Sequence, residues 1–157
     1  NKTIINGWLH TGDEGTIDKD GFLTITGRVK DLFKTSKGKY IAPSPIEMKL
    51  SVNKNIAQVC VVGTGLPQPI AIVVLSERGK NRSKKDLKRS LVKTLDIVNH
   101  KLDTHQRLHN LIIVNDDWTV ENRFLTPTMK IKRNLIEKSY NKNYEDWYNA
   151  EQVLIIE

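Results

Sequence analysis

Two β-branched runs, Ile56 to Val62 and Pro69 to Leu75, are separated only by Gly63-Thr64-Gly65-Leu66-Pro67, and they constrain this chain more than any other feature. Runs of this length, bounded by glycine and proline, read as a pair of strands with a loop. Both are partly apolar on their two faces, so the sheet they begin needs helices to cover it. The longest unbroken apolar run, Ile70 to Leu75, is far short of the roughly 20 residues that span a bilayer.

The rest of the chain supplies those helices. Ser83, with Asp86 three residues on, reads as a helix start, and Leu87, Leu91, Leu95, Val98 and Leu102 form one stripe with Lys and Arg on the other faces. A stripe of this kind is core. Leu111 to Val114 reads as a third strand, closed by the Asn115-Asp116-Asp117 turn, and a final helix is expected over roughly Arg133 to Tyr148. Upstream, Leu32 to Thr35 and Lys39 to Ile41 suit two short strands around Ser36-Lys37-Gly38. Ser44-Pro45-Ile46-Glu47 reads as a capping box with proline at the first helical position, opening a helix to about Val52. Before all of these, Glu14 to Gly27 reads as a hairpin turning at Asp18-Lys19-Asp20-Gly21. The expected fold class is α+β: a small, mainly antiparallel sheet covered by helices, preceded by a β-hairpin and a hinge.

At 157 residues there is room for one ordinary domain and a short appendage. A net charge of +7 permits a nucleic acid, an anionic membrane or a polyphosphate as partner. The local basic runs are Lys80 to Lys88 and Lys130 to Arg133. Few aromatic residues alternate with them, which argues against a surface that stacks bases. The single Cys60 excludes an internal disulfide, reads as a small buried side chain, and fits a reducing, cytosolic compartment. His10, His100, His105 and His109 have no metal-site company, and structural or surface roles are expected for them. No nucleophile with its base and no glycine-rich phosphate cradle stands out.

Three blocks of sequence say more. They are Gly7-Trp8-Leu9-His10-Thr11-Gly12-Asp13, then Gly27-Arg28-Val29-Lys30-Asp31-Leu32-Phe33-Lys34-Thr35 running on to Gly38-Lys39-Tyr40-Ile41-Ala42-Pro43, and Leu125-Thr126-Pro127-Thr128-Met129-Lys130-Ile131-Lys132-Arg133. In that order they resemble the adenylate-forming (AMP-binding) enzymes, and the wording of the second and third is most similar to long-chain fatty-acid CoA ligases. The resemblance covers nearly the whole chain but only the last part of such an enzyme, so a fragment is expected. Residues 1–29 would be the hairpin tail of the large ATP-binding domain, and residues 30–157 its mobile C-terminal lid.

The resemblance implies a substrate set of fatty acid, ATP and coenzyme A, with Mg2+ ligands outside this piece, no nucleic acid, and a cytoplasmic enzyme with peripheral membrane contact open. It implies that Lys130 is the catalytic lysine that bridges the acyl carboxylate and the α-phosphate. Read alone, Lys130, Lys132 and Arg133 form a solvated basic patch. The resemblance gives Asp13 the ribose hydroxyls, Arg28 a ribose or phosphate contact, and Lys30 the pivot of the lid. It puts Lys37, Gly38, Lys39 and Tyr40 on the loop that meets the pantetheine arm of coenzyme A, where the family usually carries two glycines and Lys37 takes the place of the first. Two other readings stay open: a related ligase with a different acceptor, and a basic module that binds polyanions.

Overall fold

The computed structural model describes residues 3–157. Its centre is a four-stranded sheet of β7 (Ile56–Val62), β8 (Ile70–Leu75), β9 (Leu111–Ile113) and β10 (Leu154–Ile156), in the order β10-β9-β8-β7. The two β-branched runs pair antiparallel, as expected, with Val59 opposite Val73 and Val61 opposite Ala71. β9 and β10 add in parallel, so the central sheet is mixed. The remaining pairings are antiparallel: β1 (Ile4–Ile5) with β2 (Trp8–Leu9), β3 (Asp13–Ile17) with β4 (Leu23–Arg28), and β5 (Phe33–Lys34) with β6 (Tyr40–Ile41).

Alternation along the strands divides the core into two halves. Val59, Val61, Ala71, Val73, Leu111 and Ile113 face α1 (Pro43–Leu50) and α3 (Lys84–His100). Cys60, Val62, Ile72, Val74 and Ile112 face α4 (Arg133–Tyr140) and α5 (Tyr144–Asn149). The apolar character of both strand faces thus follows from helices on both sides. α3 starts as its sequence reads, with the Ser83 hydroxyl accepting from the Asp86 amide at 3.2 Å. Its stripe Leu87, Leu91, Leu95 and Val98 is buried, and a short helix α2 (Glu77–Lys80) precedes it.

Two expected helix boundaries differ. α1 begins at Pro43 with Ala42 before it, and no side chain caps it. Pro43 already supplies the fixed φ of a first helical residue, which draws Ser44 into the first turn, while Glu47 is taken by a distant partner, Arg133. The final helix is interrupted by a 3-10 turn at Asn141–Asn143. The break lets Tyr140, Tyr144 and Trp147 all turn inward, with Tyr140 and Trp147 ring centroids 6.0 Å apart. The strand β10 and the small β1–β2 hairpin go beyond the elements expected from the residues. The hairpin turns on Asn6 (φ 52°) and Gly7 (φ 81°), the left-handed pair that a two-residue loop favours.

Candidate functional site

The Lys130 loop is built from the chain's own hydrogen bonds. Leu125, fully buried, forms an isolated antiparallel bridge with Ile131. Across the loop the Thr126 amide donates to the Lys130 carbonyl at 2.8 Å, and the Lys130 amide donates to the Thr126 hydroxyl at 3.0 Å. Closing so tightly places Met129 in the left-handed region at φ 61°, a conformation that residues other than glycine seldom adopt. Lys130 therefore stands exposed on a fixed hairpin, and among the described residues no hydrogen bond or ion pair holds its ammonium.

Arg133, three residues on, is no part of a solvated patch. Its side chain is only 14% exposed, and its guanidinium donates to the Val61 carbonyl at 2.6 Å and to Glu47 at 2.7 Å. The same Glu47 oxygen accepts from the Val61 amide at 2.7 Å. A single carboxylate on α1 thus ties β7 to the start of α4, and the Lys130 hairpin leads directly into that anchored helix. Burial works against the Arg133 charge, but the neighbouring Cys60 and Glu47 outweigh it and raise its pKa. Cys60 lies 3.2 Å from the guanidinium, and burial pushes its thiol up to about 12, so it is no nucleophile near neutral pH. Composition hides this anchor, because its two halves are 86 residues apart and each sits among other charges.

The candidate coenzyme A loop lies between β5 and β6. The Gly38 amide donates to the Thr35 carbonyl at 2.9 Å, and the Lys39 amide to the Thr35 hydroxyl at 3.2 Å. Gly38 holds the loop's single left-handed backbone position, φ 76°. The turn's need for glycine is met there, and Lys37 sits exposed at an ordinary position beside it. The loop rests on the β7–β8 turn through the Ser36 amide and the Leu66 carbonyl, 2.9 Å apart. Lys34 lies over the exposed Tyr40 ring, 5.7 Å from its centre, so Tyr40 is partly engaged by a cation of its own strand pair.

Asp13 and Arg28 face each other across β3 and β4, and form an ion pair of 3.2 Å. They are brought together, and among the described residues neither side chain bonds to Lys130 or to the Gly38 loop. Lys30 is exposed in a single 3-10 turn, Val29–Asp31, that joins β4 to β5. Of the histidines, His109 is half-buried and stacks on Tyr148 with ring centroids 4.1 Å apart, and His100 is exposed beside Asp96. Among the described residues no group of three or more His, Cys, Asp or Glu side chains converges to hold a metal ion, and no helix is long and apolar enough to cross a membrane.

The family model of the AMP-binding enzyme C-terminal domain matches residues 30–152. The long-chain-fatty-acid–CoA ligase FadD15 of Mycobacterium tuberculosis is 32% identical, over 96% of this chain and 28% of its own length. Fatty acyl-CoA synthetase B of Dictyostelium discoideum is 29% identical, over 92% of this chain and 24% of its own. The chain therefore spans about a quarter of the length of these relatives. In fold it resembles the adenylation domain of a carboxylate reductase from Mycobacterium chelonae, with a TM-score of 0.80 at 23% identity, over 94% of this chain and 24% of that one. The match to the family model begins at Lys30, in the turn that separates the N-terminal hairpins from the covered sheet. By that match the chain belongs to the family of AMP-binding enzyme C-terminal domains.

Proposed function

We propose that residues 30–157 are the mobile lid, and residues 1–29 the tail of the large ATP-binding domain, of a ligase that activates a fatty acid with ATP and transfers the acyl group to coenzyme A. The observation that carries this reading is a contrast between near neighbours: among the described residues Lys130 has no side-chain partner and is displayed, while the Arg133 side chain is mostly covered and anchored. In the first half-reaction a carboxylate oxygen of the fatty acid bonds to the α-phosphorus and pyrophosphate leaves. The nucleophile is already ionised near neutral pH, so it needs no base. It needs positioning and positive charge, and a compact ammonium on a fixed hairpin supplies both.

In the second half-reaction the coenzyme A thiol bonds to the acyl carbon and AMP leaves. Rotation about Lys30 would withdraw Lys130 and bring up the loop of Lys37, Gly38, Lys39 and Tyr40. Gly38 would give the pantetheine arm its close backbone approach, and the exposed Lys37 would meet phosphate. Asp13 and Arg28, held to each other across the hairpin, would take the ribose hydroxyls and a phosphate. The Mg2+ ligands, the adenine pocket and the acyl tunnel would belong to the large domain. Such an enzyme would work in the cytoplasm, with peripheral contact to a membrane. A ligase with another acceptor would share the Lys130 step and differ only in the second.

Lys130→Ala in the whole enzyme tests this. Fatty-acid-dependent pyrophosphate exchange should fall on the order of 10²–10³-fold, the usual cost of removing one preorganised transition-state donor. Thioester formation from supplied acyl-adenylate should stay near wild type. Equal losses in both half-reactions would contradict the assignment.

A further inference from the structure

Residues 77–101 carry nine Lys and Arg against three acidic residues, a net charge of +6 out of the chain's +7. Lys80 is paired with Glu77 and Asp117, but five of the nine basic residues lie on α3. α3 buries Leu87, Leu91, Leu95 and Val98 and turns Lys85, Lys88, Arg89 and Lys93 outward. Arg89 is the only one of those four in an ion pair among the described residues, at 3.7 Å from Asp86. A groove runs along each flank of this basic ridge. One, of about 820 Å³, has Val92, Leu95 and Val153 in its floor. The other, of about 280 Å³, lies against the end of α1 and contains Val52 and Ile97 between Lys49 and Lys101. Val52 is 78% exposed and Ile97 47%. None of these residues belongs to the Lys130 hairpin or the Gly38 loop.

We propose that the α3 ridge is a docking surface for an anionic lipid bilayer. Long basic side chains can lay their stems over the apolar floors while their heads reach lipid phosphates and carboxylates. Each basic residue held near such a surface strengthens binding about fivefold. The ridge is convex with an apolar strip on either side, which suits a plane of headgroups better than a linear acidic peptide lying in one channel. RNA is disfavoured because the basic face of α3 carries no Phe, Tyr or Trp side chain for a base to stack on, and His109, which lines the larger groove, already stacks on Tyr148. The choice of a bilayer rests on the fatty-acid reading above, since a long-chain acid is met at lipid surfaces.

The test is cosedimentation of the protein with vesicles of phosphatidylcholine alone and of phosphatidylcholine mixed with phosphatidylserine, at low and high salt. Binding to the mixed vesicles, weakened by salt and reduced on the order of 10²-fold in Lys85→Glu/Lys88→Glu/Lys93→Glu, is the expected result. Circular dichroism should show that variant folded, since all three side chains are exposed. Trp8→Ser/Phe22→Ser, which removes exposed apolar groups of the N-terminal hairpins, should leave the preference for anionic vesicles intact. No binding, equal binding to neutral vesicles, or unchanged binding by the charge-reversed variant would overturn the proposal. So would tighter binding of poly(U) or polyglutamate than of anionic vesicles. Pyrophosphate exchange by the whole enzyme with a soluble short-chain acid and no vesicles reports on the Lys130 reading separately, and the charge-reversed variant should keep it.

Discussion

On one side of Lys30 most large apolar side chains are covered, and on the other they are bare. From Phe33 onward the sheet packs against helices on both faces, with Ile41, Ile46, Leu91, Ile112 and Ile136 all at 1% exposure or less. Before Lys30, Trp8 is 75% exposed and Phe22 71%, and Ile17, Leu23 and Ile25 are also bare. A two-stranded hairpin is marginal by itself, and these strands carry the large apolar side chains of a surface made to be covered. The difference bears on where each part gets its stability: residues 33–157 from a core of their own, and residues 3–28, which meet that part where β4 approaches α1, in part from a partner that would cover their bare face. We identify that partner with the large domain of the proposed enzyme.

The largest expected effect falls on the covered side. Glu47→Ala would strand the Arg133 guanidinium in the interior and free the Val61 amide, and should cost about 3–5 kcal/mol in denaturant unfolding. A loss below about 1 kcal/mol would mean that the pair is solvated and that the lid is looser than its contacts imply.

The next concerns Cys60. Its folded pKa is raised from 9.0 to about 12, so the stability linked to the neutral thiol is fully present below pH 9 and is lost as pH rises toward 12. A thiol reagent at pH 8 should react with the native protein at least about a hundredfold more slowly than with the unfolded chain. Comparable rates would show the covered side opening readily. The smallest effect belongs to the bare side. Trp8→Ser and Phe22→Ser should each change the stability of this chain by less than about 0.5 kcal/mol, because both side chains stand open to solvent. A large loss would reveal that Trp8 or Phe22 packs on the lid.

Much of the covered side can be read from the residues. β7 and β8 announce themselves by β-branched content and a glycine-proline turn, and α3 by its leucine spacing, because both patterns are local and long enough to have a period. β10 has three residues and no period to detect, and it is a strand only because β9 offers a parallel edge. The break before Tyr144 depends on aromatic packing across α4 and α5. In the sequence Arg133 looks like its neighbours Lys130 and Lys132, since nothing there shows that Glu47 will lie beside it. The site residues are named by resemblance to a family; nothing in the local chemistry of Lys130 or Lys30 separates them from other exposed lysines. What the structure adds is the difference in how Lys130 and Arg133 are held, and the place of Gly38 in its turn.

The contrast across Lys30 can be measured directly by native-state hydrogen exchange on this chain, residue by residue. Amides of β7 and β8, such as Cys60, Val62, Ile72 and Val73, should open only with global unfolding. Those of β3 and β4, such as Thr16 and Leu23, should exchange at close to unfolded-chain rates. Protection of the β3–β4 amides to the same free energy as those of β8 would contradict the account, because the hairpin would then be stable without the partner assigned to it.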